Sequence, residues 1–208
     1  MKTLSLNDIK KKNETFFIVL ISILFGAGII FHFIEFTRPF VLKLTDVFLL
    51  FTNAIVFYFL IKFRENNKII YWSITVYVAT FIIEYVGVKT GIIFGNYLYG
   101  ATMFIQLGNV PLVIAFNWTI LILATYSISG AFIKNKWLVP IFSSILIVIF
   151  DYIMEPVAMA FDYWNWKNEE IPIQNYIAWF IISLISAFAL SAFHITPKGK
   201  ILKYYFFI

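Results

Sequence analysis

Six long apolar runs, separated by shorter polar segments, divide the chain. They cover about residues 15–34, 40–61, 69–88, 109–130, 137–157 and 174–195. Each run is near the roughly 20 residues that an α-helix needs to cross the hydrocarbon core of a bilayer. The first run is longer than the roughly 7–15 residues of a signal-peptide core, so we interpret it as a retained span. The pattern predicts an all-α, polytopic integral membrane bundle of about six transmembrane helices, with residues 1–208 forming one domain.

The composition agrees with this prediction. The chain is 62% hydrophobic and only 13% charged, whereas a soluble domain is about half apolar and a quarter charged. It contains no cysteine, which excludes disulfides, thiolate metal sites and iron–sulfur clusters. Its two histidines are too few for a histidine-rich di-iron centre. We therefore expect no metal site and no cofactor.

Positive charge predicts the orientation. With alternating spans, 12 of the 16 Lys and Arg residues fall on the side of the N-terminus. Cytoplasmic loops carry such an excess, so we predict that both termini are cytoplasmic, including the basic segment 1–14 and the tail 196–208. Loops 89–108 and 158–173 then face outward. The basic excess indicates topology and not a nucleic-acid partner, and the aromatic end of the tail is expected in the membrane interface.

Five of the 11 acidic residues lie in or at the ends of predicted spans: Glu35, Asp46, Glu84, Asp151 and Glu155. A charged residue at a helix centre costs about 2.5–3.5 kcal/mol on insertion scales. We therefore expect these groups to face the bundle interior, to reach the interface, or to be protonated. An ionisable residue within a membrane span is by default a candidate for function.

Asp151 and Glu155 are four residues apart, so they share one face of a helix. Pro156 follows directly and predicts a kink or a helix end at Glu155. Two carboxyl groups on one face suit acid–base chemistry, because one can hold a proton while the other orients it. Alternatively the two groups pair with Lys89 or Arg38, or cap a helix near the headgroups. The spacing alone favours neither interpretation.

Three motifs resemble one known family. The first is Glu84-Tyr85-x-Gly87-x-x-Thr90-Gly91-x-x-Phe94-Gly95-x-Tyr97-x-Tyr99. The second is Asn109-Val110-Pro111-Leu112, leading to Asn117-Trp118. The third is Asp151-x-x-Met154-Glu155-Pro156-Val157-Ala158, then Tyr163-Trp164-x-Trp166, then Ile171-Pro172-x-x-Asn175-Tyr176-x-x-Trp179. Together they resemble the carotenoid biosynthesis membrane proteins typified by the CruF-type carotenoid hydratases, which include bisanhydrobacterioruberin and γ-carotene hydratases.

The resemblance implies a hydro-lyase in a bacterial or archaeal cytoplasmic membrane. Its reaction adds water across the terminal C1–C2 double bond of an acyclic carotenoid end, which gives a tertiary alcohol. This chemistry requires no redox cofactor. The implied partners are a hydrophobic carotenoid, membrane lipid and other carotenoid biosynthesis enzymes.

Hydration of an isolated alkene needs a proton donor, a site that tolerates a carbocation, and water. We assign acid–base catalysis to Asp151 and Glu155 and include Glu84 as a third catalytic candidate close to them. Which carboxyl group acts as the acid and which as the base stays open. Aromatic faces stabilise a cation. The candidates for substrate binding or for holding water are Thr90, Phe94, Asn96, Tyr97, Tyr99, Asn117, Trp164, Trp166 and Asn175. Asn117 alternatively hydrogen-bonds a neighbouring helix.

Two other functions fit the same features. Another carotenoid end-group enzyme, such as a lycopene cyclase, shares protonation and cation handling but ends in deprotonation. A membrane transporter or lipid-binding protein also uses intramembrane carboxylates. The chain lacks paired broken helices in both halves, which disfavours a transporter.

Overall fold

A computed structural model describes residues 6–208 of the chain, with side chains described from residue 11. Six helices are long and apolar enough to cross a membrane, which confirms the predicted all-helical, multi-pass integral membrane protein. They are α1 (Leu6–Phe33), α2 (Arg38–Lys62), α3 (Lys68–Thr90), α4 (Leu112–Phe132), α5 (Val139–Ala160) and α6 (Ile173–Ala192). A short helix, α7 (Lys200–Tyr205), follows. The main difference from the predicted spans is α1, which begins at Leu6 and not near residue 15.

Helix α4 lies at the centre of the bundle. It contains no charged residue and packs against α2, α3, α5, α6 and α7. A helix that is apolar all round is buried, and two-thirds of the apolar stretch of α4 is buried in the protein. By contrast, α1 packs mainly on α2 and α7 and leaves most of its surface outward. The candidate site is built around the N-terminal half of α4.

The two predicted outward loops contain short strands that the apolar pattern did not indicate. Strand β1 (Tyr97–Tyr99) pairs antiparallel with β4 (Trp164–Trp166). Strands β2 (Gln106–Leu107) and β3 (Val110–Pro111) form a second small pair. The β1–β4 ribbon joins the loop after α3 to the loop after α5, so it fixes the ends of both helices relative to each other.

Two positions near the end of α3 and in the loop that follows require glycine. Gly91 ends α3 with φ of +67°, in the left-handed region where glycine carries no steric cost. Gly100 packs so closely on the backbone carbonyl of Asp162 that a Cβ would overlap it. The chain can therefore turn back toward the membrane directly after α3 and lay β1 against β4.

Pro156 does not end α5, which continues for one more turn to Ala160. Glu155 therefore lies inside the helix. Of the predicted kink or helix end at this residue, the helix end instead falls five residues later. Because proline has no N–H group, the carbonyl of Tyr152 loses its helical donor there. The helix remains intact because this occurs in its last turns.

The C-terminal segment packs one side between helices and leaves the other side exposed. Leu202 is fully buried, and α7 contacts α1, α2 and α4. The carboxylate of Glu14 accepts a hydrogen bond from the backbone N–H of Ile201 at 3.0 Å, and Tyr205 contacts the Thr52 hydroxyl at 3.0 Å. In the tail, Tyr205 and Phe206 are half-buried against the bundle, whereas Tyr204 and Phe207 are exposed, so the expectation that the aromatic tail lies in the interface stays a prediction. The cytoplasmic assignment of segments 1–14 and 196–208 stays a prediction, and residues 1–5 lie outside the described part.

Candidate functional site

One cavity of about 210 Å³ lies inside the bundle and is lined mainly by apolar side chains, nearly half of the lining residues being aromatic. The carboxyl groups of Glu84, Asp151 and Glu155 line it together, and each of these residues is at most 3% exposed. Glu84 comes from α3, whereas Asp151 and Glu155 come from one face of α5. Acidic residues from separate helices thus meet in one apolar pocket.

Glu84 accepts hydrogen bonds from three neutral donors. The hydroxyls of Tyr97 and Tyr99 donate to its Oε2 at 2.5 and 2.8 Å. The indole N–H of Trp118 donates to its Oε1 at 2.8 Å. Trp118 in turn stacks on Trp179, with ring centroids 3.7 Å apart and planes 20° from parallel. Glu84 is therefore held in one orientation from both sides.

Glu155 is held in a similar way, whereas Asp151 is freer. The indole N–H groups of Trp164 and Trp166 donate to Glu155 Oε2 at 2.8 and 2.7 Å. The side-chain amide of Asn175 donates to Glu155 Oε1 at 3.0 Å and to Asp151 Oδ2 at 2.7 Å. Within residues 11–208 no donor contacts the second carboxyl oxygen of Asp151. Of the three groups, Asp151 has the oxygen best placed to exchange a proton with a bound molecule.

The β1–β4 ribbon supplies four of these donors. Tyr97 lies opposite Trp166 and Tyr99 lies opposite Trp164. Because side chains alternate along a strand, the two tyrosines share one face of the ribbon, and so do the two tryptophans. The ribbon therefore connects the carboxyl group on α3 with the acidic pair on α5.

Among the side chains of residues 11–208, no lysine or arginine lines this cavity. Lys89 lies over the ring of Tyr85, with its Nζ 5.8 Å from the ring centroid. Arg38 donates from Nε to the carbonyl of His32 at 2.7 Å. The alternative pairing of the acidic residues with Lys89 or Arg38 is thus not observed. In the part of the chain with described side chains, no group of three or more His, Cys, Asp or Glu residues is arranged to hold a metal ion.

The ribbon tyrosines remain neutral donors at ordinary pH. Burial, followed by the adjacent Glu84 charge, raises the pKa of Tyr97 well above its usual value. The same two causes raise the pKa of Tyr99 well above the usual range. Because a raised phenol pKa favours the protonated form, both hydroxyls keep the proton that they donate to Glu84.

Most of the predicted site residues come together. Phe94, Tyr97, Tyr99, Asn117, Trp164, Trp166 and Asn175 all line the cavity with the three acidic residues. Thr90 and Asn96 do not line it, and both are exposed. The Thr90 hydroxyl bonds backbone groups at the end of α3, and the Asn96 carbonyl accepts a hydrogen bond from the Lys167 N–H. These two residues shape the loop and do not contact the cavity.

Several cavity residues were outside the predicted set. Trp179 lines the cavity, and Trp118 lies behind it as a donor to Glu84; both belong to the motifs quoted above, close to Asn175 and Asn117 in the sequence. Asn53 lines the cavity from α2, where the sequence resembles no motif. The tail contributes Tyr205, Phe206 and Ile208, and nothing in the apolar pattern distinguishes them from an interfacial segment.

Comparison with known proteins gives a family. Residues 44–203, more than half of the chain, match the family model described as "Carotenoid biosynthesis protein". No curated protein and no solved structure matches the chain. The matched range contains α3 to α6, both pairs of strands and the three acidic cavity residues. The chain therefore belongs to the carotenoid biosynthesis protein family.

Proposed function

We propose that this protein is a membrane carotenoid hydratase, which adds water across the terminal C1–C2 double bond of an acyclic carotenoid end. One observation carries the proposal: three buried carboxyl groups, hydrogen-bonded only by neutral donors, share one aromatic cavity. Protonation of a hydrocarbon alkene needs carboxyl groups of this kind, because the substrate has no polar atom that the protein could bind or activate. The family supports a carotenoid as substrate.

Asp151 is the proposed proton donor. Its Oδ2 is fixed by the Asn175 amide, and its Oδ1 has no donor within the described side chains. A protonated Oδ1 can transfer its proton to C2 of the alkene, whose π electrons form the new C–H bond and leave a tertiary cation at C1. General acid–base catalysis of this kind contributes about 10²–10⁴-fold to a rate.

Aromatic rings stabilise the cation in this proposal. Tyr97, Tyr99, Trp164 and Trp166 line the cavity beside the acidic pair. The electron-rich face of an aromatic ring attracts a cation, and the attraction reaches about 2 kcal/mol or more in a desolvated site. The carboxylates of Glu84 and Glu155 add negative charge, which also favours the cation over the neutral alkene.

Water then captures the cation and gives up a proton. Glu155 is the proposed acceptor, because it shares the Asn175 amide with Asp151 and lies one helical turn away. Transfer of that proton back to Asp151 restores the starting state. The net change is addition of one water molecule, with no oxidation or reduction.

The size of the cavity fits one end of a carotenoid. About 210 Å³ is below the roughly 300–1,000 Å³ of pockets that hold drug-sized ligands. In the proposal the end group occupies the cavity and the polyene extends out of it into the bilayer, whose core of about 30 Å suits its length.

Expression in cells that make lycopene or γ-carotene tests the proposal. Chromatography and mass spectrometry of the pigments should reveal a product heavier than the substrate by one water molecule. A product of unchanged mass with a new ring would instead identify a cyclase. Unchanged pigment in cells that contain the folded protein would argue against both enzymes and favour a transporter or lipid-binding protein.

A further inference from the structure

A second polar site lines the same cavity from α2 and α4. The side-chain amide of Asn53 donates to the Oδ1 atom of Asn117 at 2.6 Å. Asn53 is fully buried, and both residues line the cavity with the three acidic groups. The proton transfers described above use neither residue.

The hydrogen bonds of this pair are incomplete. Each asparagine amide offers an oxygen acceptor and an NH₂ group with two donors. The one bond between the two residues leaves an acceptor on one amide and a donor on the other. Among the described residues no donor reaches the buried Oδ1 of Asn53. A buried acceptor without a partner is costly, so this atom points to a ligand that carries an O–H or N–H group.

We propose that the Asn53–Asn117 pair binds the oxygen that the reaction adds to the carotenoid. A water molecule or a tertiary hydroxyl donates one hydrogen bond and accepts another, which matches what the pair leaves open. The ligand class is thus a neutral O–H group, present as water before addition and as the alcohol after it. This inference rests on the proposed hydratase function.

The pair also places the oxygen source away from the proton donor. Asn53 and Asn117 extend from α2 and α4, whereas Asp151 and Glu155 extend from α5. The proton therefore arrives from one wall of the cavity and the water from another. When water attacks C1, a lone pair on its oxygen forms the C–O bond, and the released proton goes to a carboxylate.

Loss of the water position has a distinctive chemical consequence. A tertiary cation without a nearby nucleophile loses a proton from an adjacent carbon to a carboxylate, which regenerates an alkene. Loss of the proton from C2 returns the substrate, whereas loss from a methyl group on C1 gives an isomer of the same mass with a shifted double bond. The ratio of hydrated product to isomer reports on water capture and not on the overall rate.

A purely structural role predicts a different outcome. Thr125 and Ser143 form a fully buried hydrogen bond of 2.8 Å between α4 and α5 and do not line the cavity. This bond is a matched control for a polar contact between helices. Thr125→Val removes it without altering the cavity wall.

The experiment compares Asn53→Leu, Asn117→Leu and Thr125→Val with the wild-type protein in lycopene-producing cells. We expect the ratio of hydrated product to isomer to fall about tenfold or more in both asparagine variants, as for loss of a buried polar partner. Thr125→Val should leave this ratio unchanged. An unchanged ratio in the asparagine variants would overturn the inference. Absence of any hydrated product from the wild-type protein would instead overturn the proposed function.

Binding to the purified proteins supplies a second measurement. The probes are lycopene and its 1-hydroxy-1,2-dihydro derivative, followed by their visible absorption. Weaker binding of the alcohol alone in Asn53→Leu, by about tenfold, means that the pair holds the product hydroxyl as well as water. If both pigments bind as in the wild-type protein while the ratio of hydrated product to isomer is lowered, the Asn53–Asn117 pair binds water and not the product hydroxyl. An equal loss of affinity for both pigments would indicate a structural role and contradict the inference.

Discussion

Tyr97 lies directly opposite Trp166 across the β1–β4 ribbon, with ring centroids 5.1 Å apart. The two side chains donate to different carboxyl groups: Tyr97 to Glu84 at 2.5 Å and Trp166 to Glu155 at 2.7 Å. A single cross-strand pair thus links the acidic residues of α3 and α5. The ribbon positions the candidate site as much as the helices do.

Removing one ribbon donor should destabilise the protein. Tyr97→Phe deletes the hydroxyl and leaves the buried Glu84 carboxyl group with two donors. We expect the free energy of unfolding to fall by about 0.5–1.5 kcal/mol, the usual net contribution of one hydrogen bond, because Tyr99 still donates to the same oxygen of Glu84. Thermal unfolding in detergent measures the change. Leu98→Ala on the same strand is the control, because Leu98 is 66% exposed and should have little effect. Equal effects of the two substitutions would contradict the role of the hydroxyl.

Gly87 should tolerate no side chain. A Cβ at this position would lie 2.6 Å from the ring of Phe94, which is buried and lines the cavity. Overpacking of this kind costs about 1–3 kcal/mol, so Gly87→Ala should lower both thermal stability and conversion of substrate. Gly26→Ala is a matched control, since its Cβ would meet nothing within 4 Å. Full activity of Gly87→Ala would show that Phe94 need not stay in place.

Stability should depend on alkaline pH through the ribbon tyrosines. The pKa values of Tyr97 and Tyr99 are raised in the folded protein, chiefly by burial. A group with a raised folded pKa contributes stability that is fully present below its unfolded pKa, about 10 for tyrosine. That contribution is lost as the pH rises through the folded pKa. The free energy of unfolding should therefore fall above about pH 10, and these two groups should cause no pH dependence near neutrality.

The matched measurement is the melting temperature of the wild-type protein and of Tyr97→Phe/Tyr99→Phe at several pH values. The wild-type protein should be the more stable at neutral pH, and the difference should shrink above about pH 10. Lysine titration is common to both proteins and cancels in the comparison. A difference that stays constant up to pH 11 would contradict burial as the cause.

The apolar pattern predicted the helices well for a physical reason. A bilayer span needs about 20 apolar residues whatever their identity, so run length alone locates α2 to α6 within a few residues. The acidic residues were found for the same reason, because a carboxyl group in an apolar run is costly unless it has a role. Glu84, Asp151 and Glu155 are accordingly the residues that the structure gathers.

The loops and the tail were less predictable. The β1–β4 ribbon depends on pairing between residues far apart in the sequence, such as Tyr97 and Trp166, which are 69 positions apart, and nothing local specifies it. Thr90 belongs to the same motif as Tyr97, yet its hydroxyl bonds the backbone of the turn, and Asn96 contributes its backbone carbonyl to a hydrogen bond with Lys167. Tyr205 lies in a short apolar tail, which packs equally well in an interface or between helices. Only the assembled bundle distinguishes these cases.

The acidic pair is the centre of the proposed mechanism, and product analysis of Asp151→Asn and Glu155→Gln in lycopene-producing cells tests it most directly. Both changes keep side-chain size and remove the carboxyl group. We expect the amount of hydrated carotenoid to fall by about 10²-fold or more in each variant, the scale of general acid–base catalysis. Glu35→Gln, at an exposed acidic residue outside the cavity, should leave the product unchanged. Wild-type amounts of hydroxylated product from both pair variants would contradict the account.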